Sequence, residues 1–125
     1  MLYHKHLILR GRIHTPLGAD DISLTLTEMV AIVRMRVLSP AKVVHCWEPG
    51  NIGYTGIILL TTSHMAWHDW TRYDGTSDLQ FDLYSCAPFD VDSVISYLKA
   101  RHSLTPNDWR LFDRDYSIIE TNRLS

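Results

Sequence analysis

Residues 53–70 read GYTGIILLTTSHMAWHDW and predict two consecutive β-strands separated by a short polar break. The run from Thr55 to Thr62 is strongly apolar, as expected of a strand buried in a sheet. The run from His64 to Trp70 alternates, so residues of even number should share one face. Because a polar pair and a large aromatic are unusual on a face that meets only core, we interpret this face as a functional surface. Its members would be His64, Ala66, His68 and Trp70.

Patterns on both sides of this stretch predict the remaining elements. Period-two alternation indicates strands, and apolar residues at helical spacing indicate two helices with aspartates near their starts. The order β-α-β-β-β-β-α-β predicts an α+β domain, a two-layer sandwich with a mostly antiparallel sheet and two helices on one face. The predicted strands are 3–14, 41–47, 55–62, 64–70, 79–86 and 109–119, and the predicted helices are 21–37 and about 91–98, the first with the apolar stripe Ile22, Leu26, Met29, Val33 and Val37.

Length and composition set limits on the class of protein. The 125 residues suit a single domain, 1–125, with one sizeable core. The net charge of −2 gives no reason to expect a nucleic acid or a membrane surface as partner. No apolar run approaches the ~18 residues of a membrane span, and the N-terminus lacks the pattern of a signal peptide. Two cysteines, Cys46 and Cys86, do not form a disulfide framework, so we expect free thiols and a cytoplasmic location.

Several spaced motifs follow one another along most of the chain. They are Trp47-Glu48-Pro49, Gly53-Tyr54-Thr55-Gly56, Thr62-Ser63-His64, His68-Asp69-Trp70 and Asp82-Leu83-Tyr84-Ser85-Cys86. In this order they resemble the bacterial and archaeal class of S-adenosylmethionine decarboxylase, a pyruvoyl enzyme made as a proenzyme. The corresponding family pattern is F-x-P-x-G-V-S-G, an apolar strand, E-S-H, H-T-W-P-E and a D-x-x-x-C strand end.

The resemblance implies a decarboxylase that makes its own cofactor. Decarboxylation of an amino acid leaves a carbanion, and a pyruvoyl ketone that condenses with the substrate amine supplies the electron sink. Ser63 would be the pyruvoyl precursor. Its hydroxyl would attack the preceding carbonyl, and elimination would split the chain between Thr62 and Ser63 into chains 1–62 and 63–125.

The resemblance also implies roles for other residues. Thr55, which replaces a family serine, would position the scissile carbonyl, and His68 would be the base that assists elimination. Cys86 would return a proton to the substrate carbon. Alternation along 79–86 puts Cys86 on one face with the other even-numbered residues of that strand, so it could converge with His68 across neighbouring strands. Trp47 and Trp70 would stack on a planar group of a small-molecule substrate. Family members assemble as dimers, so a homodimer of processed chains is expected.

Departures from the family pattern leave alternatives open. Thr62 stands where the family has glutamate, and Thr71-Arg72 replaces the family's P-E. Arginine cannot accept hydrogen bonds from a ribose, but it suits a carboxylate. With His64 and Arg72 among the substrate contacts, ornithine or arginine is therefore an alternative substrate to S-adenosylmethionine. A second alternative is an unprocessed relative that acts as a binding or regulatory subunit.

Metal binding is not expected. His4-Lys5-His6 and the His64, His68 pair resemble ligand spacings. On one strand, however, His64 and His68 would lie roughly 13 Å apart, too far to share an ion.

Overall fold

The alternating and helical patterns fold into two helices and a single sheet. The structure, a computed structural model, describes the backbone of residues 3–123 and the side chains of residues 3–121. None of the helices in this range is long and apolar enough to cross a membrane. The prediction of one domain over 1–125 includes terminal residues outside the described range and stays a prediction. The elements are β1 (Lys5–Ile13), α1 (Ala19–Ile32), β2 (Val37–Cys46), β3 (Gly53–Leu60), β4 (Ser63–Thr71), β5 (Ser77–Ser85), α2 (Val91–His102), β6 (Thr105–Asp113) and β7 (Ile119–Arg123).

Strands β3 and β4, which residues 53–70 form, lie inside the sheet. Within residues 3–123 the strand order is β2-β3-β4-β5-β1-β6-β7, and all neighbours are antiparallel. The register pairs Thr55 with His68 between β3 and β4. Between β4 and β5 it pairs Ser63 with Ser85 and His68 with Gln80. These pairings fix the positions of the candidate site residues.

One face of the sheet carries both helices, and the other face is left open. Alternation along β4 buries Met65 and Trp67 against the helices, whereas His64 and His68 lie on the open face. Apolar residues of both helices join strand residues in one hydrophobic cluster. The predicted α+β architecture and the predicted faces of 64–70 and 79–86 are confirmed.

Three predicted boundaries are wrong. Helix α1 ends at Ile32 rather than at residue 37, because Arg34 adopts a left-handed φ of 59° and Val37 already begins β2. Gly18, not an aspartate, is the N-cap residue of α1, and Asp20 and Asp21 lie in its first turn without a side-chain cap. The last predicted strand is two strands, β6 and β7, which pair with each other.

A buried histidine joins the two helices to the sheet. His102 of α2 is 1% exposed, and its Nε2 lies 2.6 Å from Thr25 Oγ1 of α1. The Thr25 hydroxyl donates to the carbonyl of Asp21, so the imidazole must be the donor to Thr25. The His102 ring also packs edge-on against Trp67, with the ring centroids 5.4 Å apart. Burial, with a smaller contribution from Arg101, lowers the pKa of His102 to about 4.

We therefore expect acid to weaken the fold through His102. Because the folded-state pKa lies below the unfolded value of 6.5, the stabilisation is complete above pH 6.5 and is lost as the pH falls toward 4. The free energy of unfolding should fall by about 3 kcal/mol over this pH range. Urea unfolding of the wild type and of His102→Gln, which keeps a donor but does not titrate, measures it. If both proteins lost the same free energy of unfolding between pH 7.5 and 4, His102 would not be the group responsible.

Candidate active site

The Ser63 end of the open face, defined as Thr62, Ser63, His64 and Cys86, surrounds the peptide bond before Ser63. The thiol Sγ of Cys86 lies 3.2 Å from the carbonyl oxygen of Thr62, and the Cys86 backbone N–H donates to the same oxygen at 3.0 Å. Two donors on one carbonyl polarise it toward nucleophilic attack. Ser63 itself has a φ of 157°, which residues with a side chain rarely adopt.

A polar cluster lies beside Ser63 on β1, β4 and β5. Asp82 Oδ1 is 3.3 Å from His6 Nε2 and 3.8 Å from His64 Nε2. The rings of both histidines lie 5.8 Å from that of Tyr84, and the Arg114 guanidinium lies over the Tyr84 ring at 4.4 Å. His64, which directly follows Ser63, therefore lies within 4 Å of a carboxylate of its own chain.

The His68 end of the open face, defined as Thr55, His68, Trp70 and Arg72, lies at the other end of β4. Thr55 Oγ1 is 3.3 Å from His68 Nδ1, and the two residues are direct cross-strand partners. Trp70 donates from Nε1 to Asn51 Oδ1 at 3.3 Å. A cleft of about 110 Å³ opens here, lined by Cys46, Asn51, Gly53, Thr55, His68, Asp69 and Trp70.

The two tryptophans are not stacked on each other. Trp47 follows β2, is 78% exposed and packs on His45 with ring centroids 4.0 Å apart. Trp70 is partly buried, and its ring lies 6.4 Å from that of His68. Both lie near the same end of the sheet, but only Trp70 lines the cleft.

Arg72 already holds a carboxylate of the chain. Its Nη1 donates to Asp78 Oδ2 at 3.1 Å, while Arg12 donates to Asp78 Oδ1 from Nε at 3.2 Å and from Nη2 at 3.0 Å. Burial alone would raise the pKa of Asp78, but the hydrogen bonds and charges of Arg72 and Arg12 lower it overall. An ionised Asp78 therefore lies between two arginines, one of which, Arg72, stands where the family pattern has a glutamate.

The two ends do not meet within one chain. Ser63 and His68 are five residues apart on one strand, which corresponds to about 17 Å. Cys86 lies beyond Ser63, whereas His68 faces Gln80. The expectation that His68 and Cys86 converge across neighbouring strands is therefore wrong for a single chain. The donors to the Thr62 carbonyl come from Cys86, and Thr55 contacts His68 instead.

Sequence reasoning gave no role to three aspartates at the site. Asp78 and Asp82 share the open face of β5, and the alternation of this strand was the signal that indicated that face. Asp69 has the opposite parity and is only 3% exposed, which makes it a carboxylate on the buried face of β4. Burial raises the pKa of Asp69, opposed by hydrogen bonds from Trp67 and the Tyr54 backbone.

Metal-binding geometry is not found in the described part of the chain. Within residues 3–123, no three His, Cys, Asp or Glu side chains are grouped so that they could hold an ion.

Comparison with known proteins relates this chain to an established family. Comparison with curated proteins gave no match. The family model for S-adenosylmethionine decarboxylase matches residues 18–115, which include every element from α1 to β6 and both ends of the open face. Since this match covers well over half of the chain, the protein belongs to the S-adenosylmethionine decarboxylase family.

Proposed function

We propose that the chain is a self-processing, pyruvoyl-dependent decarboxylase of polyamine biosynthesis, with S-adenosylmethionine as the default substrate. The observation that carries this proposal is the pair of donors from Cys86 on the carbonyl that precedes Ser63. A carbonyl whose oxygen accepts two hydrogen bonds, next to a serine with a positive φ, is suited to attack by the serine hydroxyl.

The processing steps use groups of the chain itself. The Ser63 hydroxyl adds to the Thr62 carbonyl carbon, and the C–N bond breaks as the ester forms. The Cys86 donors stabilise the negative charge that develops on the Thr62 oxygen. A base then removes the Ser63 Cα proton and the Cβ–O bond breaks, which releases Thr62 as a carboxylate. Water hydrolyses the new N-terminus to the pyruvoyl group, with loss of ammonia.

The residues around Ser63 fit the product of these steps. When formed, the pyruvoyl carbonyl supplies the electron sink for decarboxylation. The Cys86 thiol, exposed and one hydrogen bond from Thr62, is close enough to return a proton to a substrate carbon held there. The polar cluster of Asp82 and His64 borders the same point.

The base for elimination has to come from a second chain if it is His68. Within one chain about 17 Å of strand separate His68 from Ser63. In an isologous dimer, each copy presents the same surface to the other, so the Ser63 end of one chain can face the His68 end of its partner. Each homodimer would then contain two complete sites, with Ser63 and Cys86 from one chain and Thr55 and His68 from the other.

The open face of the sheet supports this arrangement. It carries large apolar side chains that are 42–54% exposed, and an apolar sheet face is normally covered by a second layer. The cleft of about 110 Å³ is smaller than the ~300 Å³ typical of a small-molecule site, so it needs another wall. The exposed apolar residues are Ile8, Val44, Ile57 and Leu59.

Intact-mass analysis of the purified protein tests the proposal. We expect two fragments, 1–62 and 63–125, with the second lacking a free α-amino group. A single full-length species after prolonged incubation would refute it and would favour an uncleaved binding relative.

Replacement of Cys86 tests the polarised carbonyl. We expect Cys86→Ala to slow cleavage by about 10²-fold, because one of two donors to the developing oxyanion is lost. Cys86→Ser keeps a donor and should cleave faster than the alanine variant, although it removes the thiol. Timed denaturing gels measure both rates, and equal rates for all three proteins would contradict the role.

A changed substrate is a second candidate, favoured by the Arg12–Asp78–Arg72 group. The Asp78 oxygens already accept three hydrogen bonds, which leaves little capacity for two ribose hydroxyls. Arg72 uses one of its five N–H donors on Asp78, so it retains donors for a substrate carboxylate. Side-by-side measurement of CO₂ release from S-adenosylmethionine, ornithine and arginine decides between the substrates. A strong preference for S-adenosylmethionine would exclude the second candidate.

A further inference from the structure

A buried carboxylate lies directly behind His68, and the steps proposed above do not use it. Asp69 is 3% exposed and lies on the helix-facing side of β4, whereas His68 lies on the open side. A carboxylate on a buried face requires compensating hydrogen bonds. These bonds show what Asp69 holds in place.

Asp69 ties β3 to β4 beside the Thr55–His68 pair. Its Oδ1 accepts the backbone N–H of Tyr54 at 3.1 Å, and its Oδ2 accepts Nε1–H of Trp67 at 2.7 Å. Tyr54 directly precedes Thr55, and Asp69 directly follows His68. The clamp therefore lies one residue from the hydrogen bond between Thr55 and His68.

The close approach at this clamp depends on a glycine. Gly53 has a φ of 157°, and a Cβ on it would lie 1.9 Å from the backbone oxygen of Asp69. Any side chain at position 53 would force the start of β3 away from Asp69. Two independent features, the carboxylate and the glycine, thus set the same contact between β3 and β4.

Both oxygens of Asp69 are needed for this clamp. Each accepts from an N–H donor, which matches the ionised carboxylate, because a protonated oxygen would have to donate where its partner also donates. An amide at position 69 would offer one oxygen and one NH₂ group, so in the same place it could accept from only one of the two partners.

The geometry points to Asp69 as a positioning residue for His68: it fixes β3 against β4 so that Thr55 meets the imidazole. This assignment rests on the proposed function only in giving His68 a part in processing. Asp69 does not touch the reacting atoms and acts through its neighbour.

The test is the NMR cross-peak (NOE) between the Thr55 methyl group and the His68 ring in Ser63→Ala protein, which keeps the chain uncleaved. In the Asp69→Asn variant we expect this NOE to be lost, while the NOE between Leu59 and His64 at the other end of the same strand pair remains. Asp69→Thr, which places the family's residue there, should give the same loss and serves if the asparagine variant does not fold. Asp74→Asn removes an exposed acid that bonds only to Thr76 and should leave the Thr55–His68 NOE unchanged.

Processing gives the second readout with Ser63 intact. Because a displaced imidazole is misaligned for proton removal, cleavage should slow roughly tenfold in Asp69→Asn and stay unchanged in Asp74→Asn. An unchanged Thr55–His68 NOE in both Asp69 variants would overturn the inference even if the wild type cleaves. Conversely, loss of this NOE in a chain that never cleaves would support the inference and refute the proposed function.

Discussion

Ser63→Ala is expected to abolish cleavage completely and to leave one species of 125 residues. The variant lacks the hydroxyl that, in the proposed processing, would attack the Thr62 carbonyl, and without cleavage no pyruvoyl group would form. Decarboxylation should therefore disappear with processing, whichever substrate the protein takes. Intact-mass analysis and an assay of CO₂ release measure the two losses on the same preparation.

Ser85→Ala is the matched control for this variant. Ser85 is the cross-strand partner of Ser63, is fully buried, and hydrogen-bonds to Thr62 Oγ1 at 3.4 Å without lying on the scissile bond. Its replacement should change stability but should still allow cleavage between Thr62 and Ser63. If Ser63→Ala still gave fragments, or if only Ser85→Ala lost cleavage, Ser63 would not be the pyruvoyl precursor.

Local patterns predicted the layers of the fold better than its boundaries. Period-two alternation gave the correct faces of 64–70 and 79–86, because burial on one face dictates it residue by residue. The end of α1 could not be read in this way. Val37 continues the apolar spacing of the helix, but the chain turns at Arg34 and Val37 pairs with Leu60 of β3 instead. A nonlocal pairing overrides the local period there.

The site shows the same division between local and nonlocal information. The order of motifs predicted Ser63, His68 and Cys86 as site residues, but the distances between them depend on strand register. The loop between β4 and β5 is centred on Asp74, with the Arg72 N–H donating to the Thr76 carbonyl, and counting outward from it places His68 opposite Gln80 and so away from Cys86. The Gly53–Asp69 approach joins two strands at a point that no spacing marks, and it became visible only in the structure.

Because Ser63 and His68 lie at opposite ends of β4, we expect two variants that are each uncleaved alone to restore cleavage when they are co-expressed. His68→Ala and Ser63→Ala should each remain uncleaved alone. In the proposed dimer, a mixed pair would bring Ser63 of the His68→Ala chain to the intact His68 of its partner, which would restore one complete site. With random pairing of equal amounts, about half of the His68→Ala chains should be cleaved, because about half of them lie in mixed dimers. Co-expression with two different tags and intact-mass analysis measures this fraction.

A Cys86→Ala chain is the control that separates groups acting within a chain from groups acting between chains. The Cys86 donors reach the Thr62 carbonyl of their own chain, so an intact Cys86 in a partner cannot replace them. Co-expression of Cys86→Ala with Ser63→Ala should therefore leave cleavage as slow as in Cys86→Ala alone. If Ser63→Ala accelerates Cys86→Ala but fails to rescue His68→Ala, the division of the site between two chains is wrong, and a base other than His68 must act on Ser63 within its own chain.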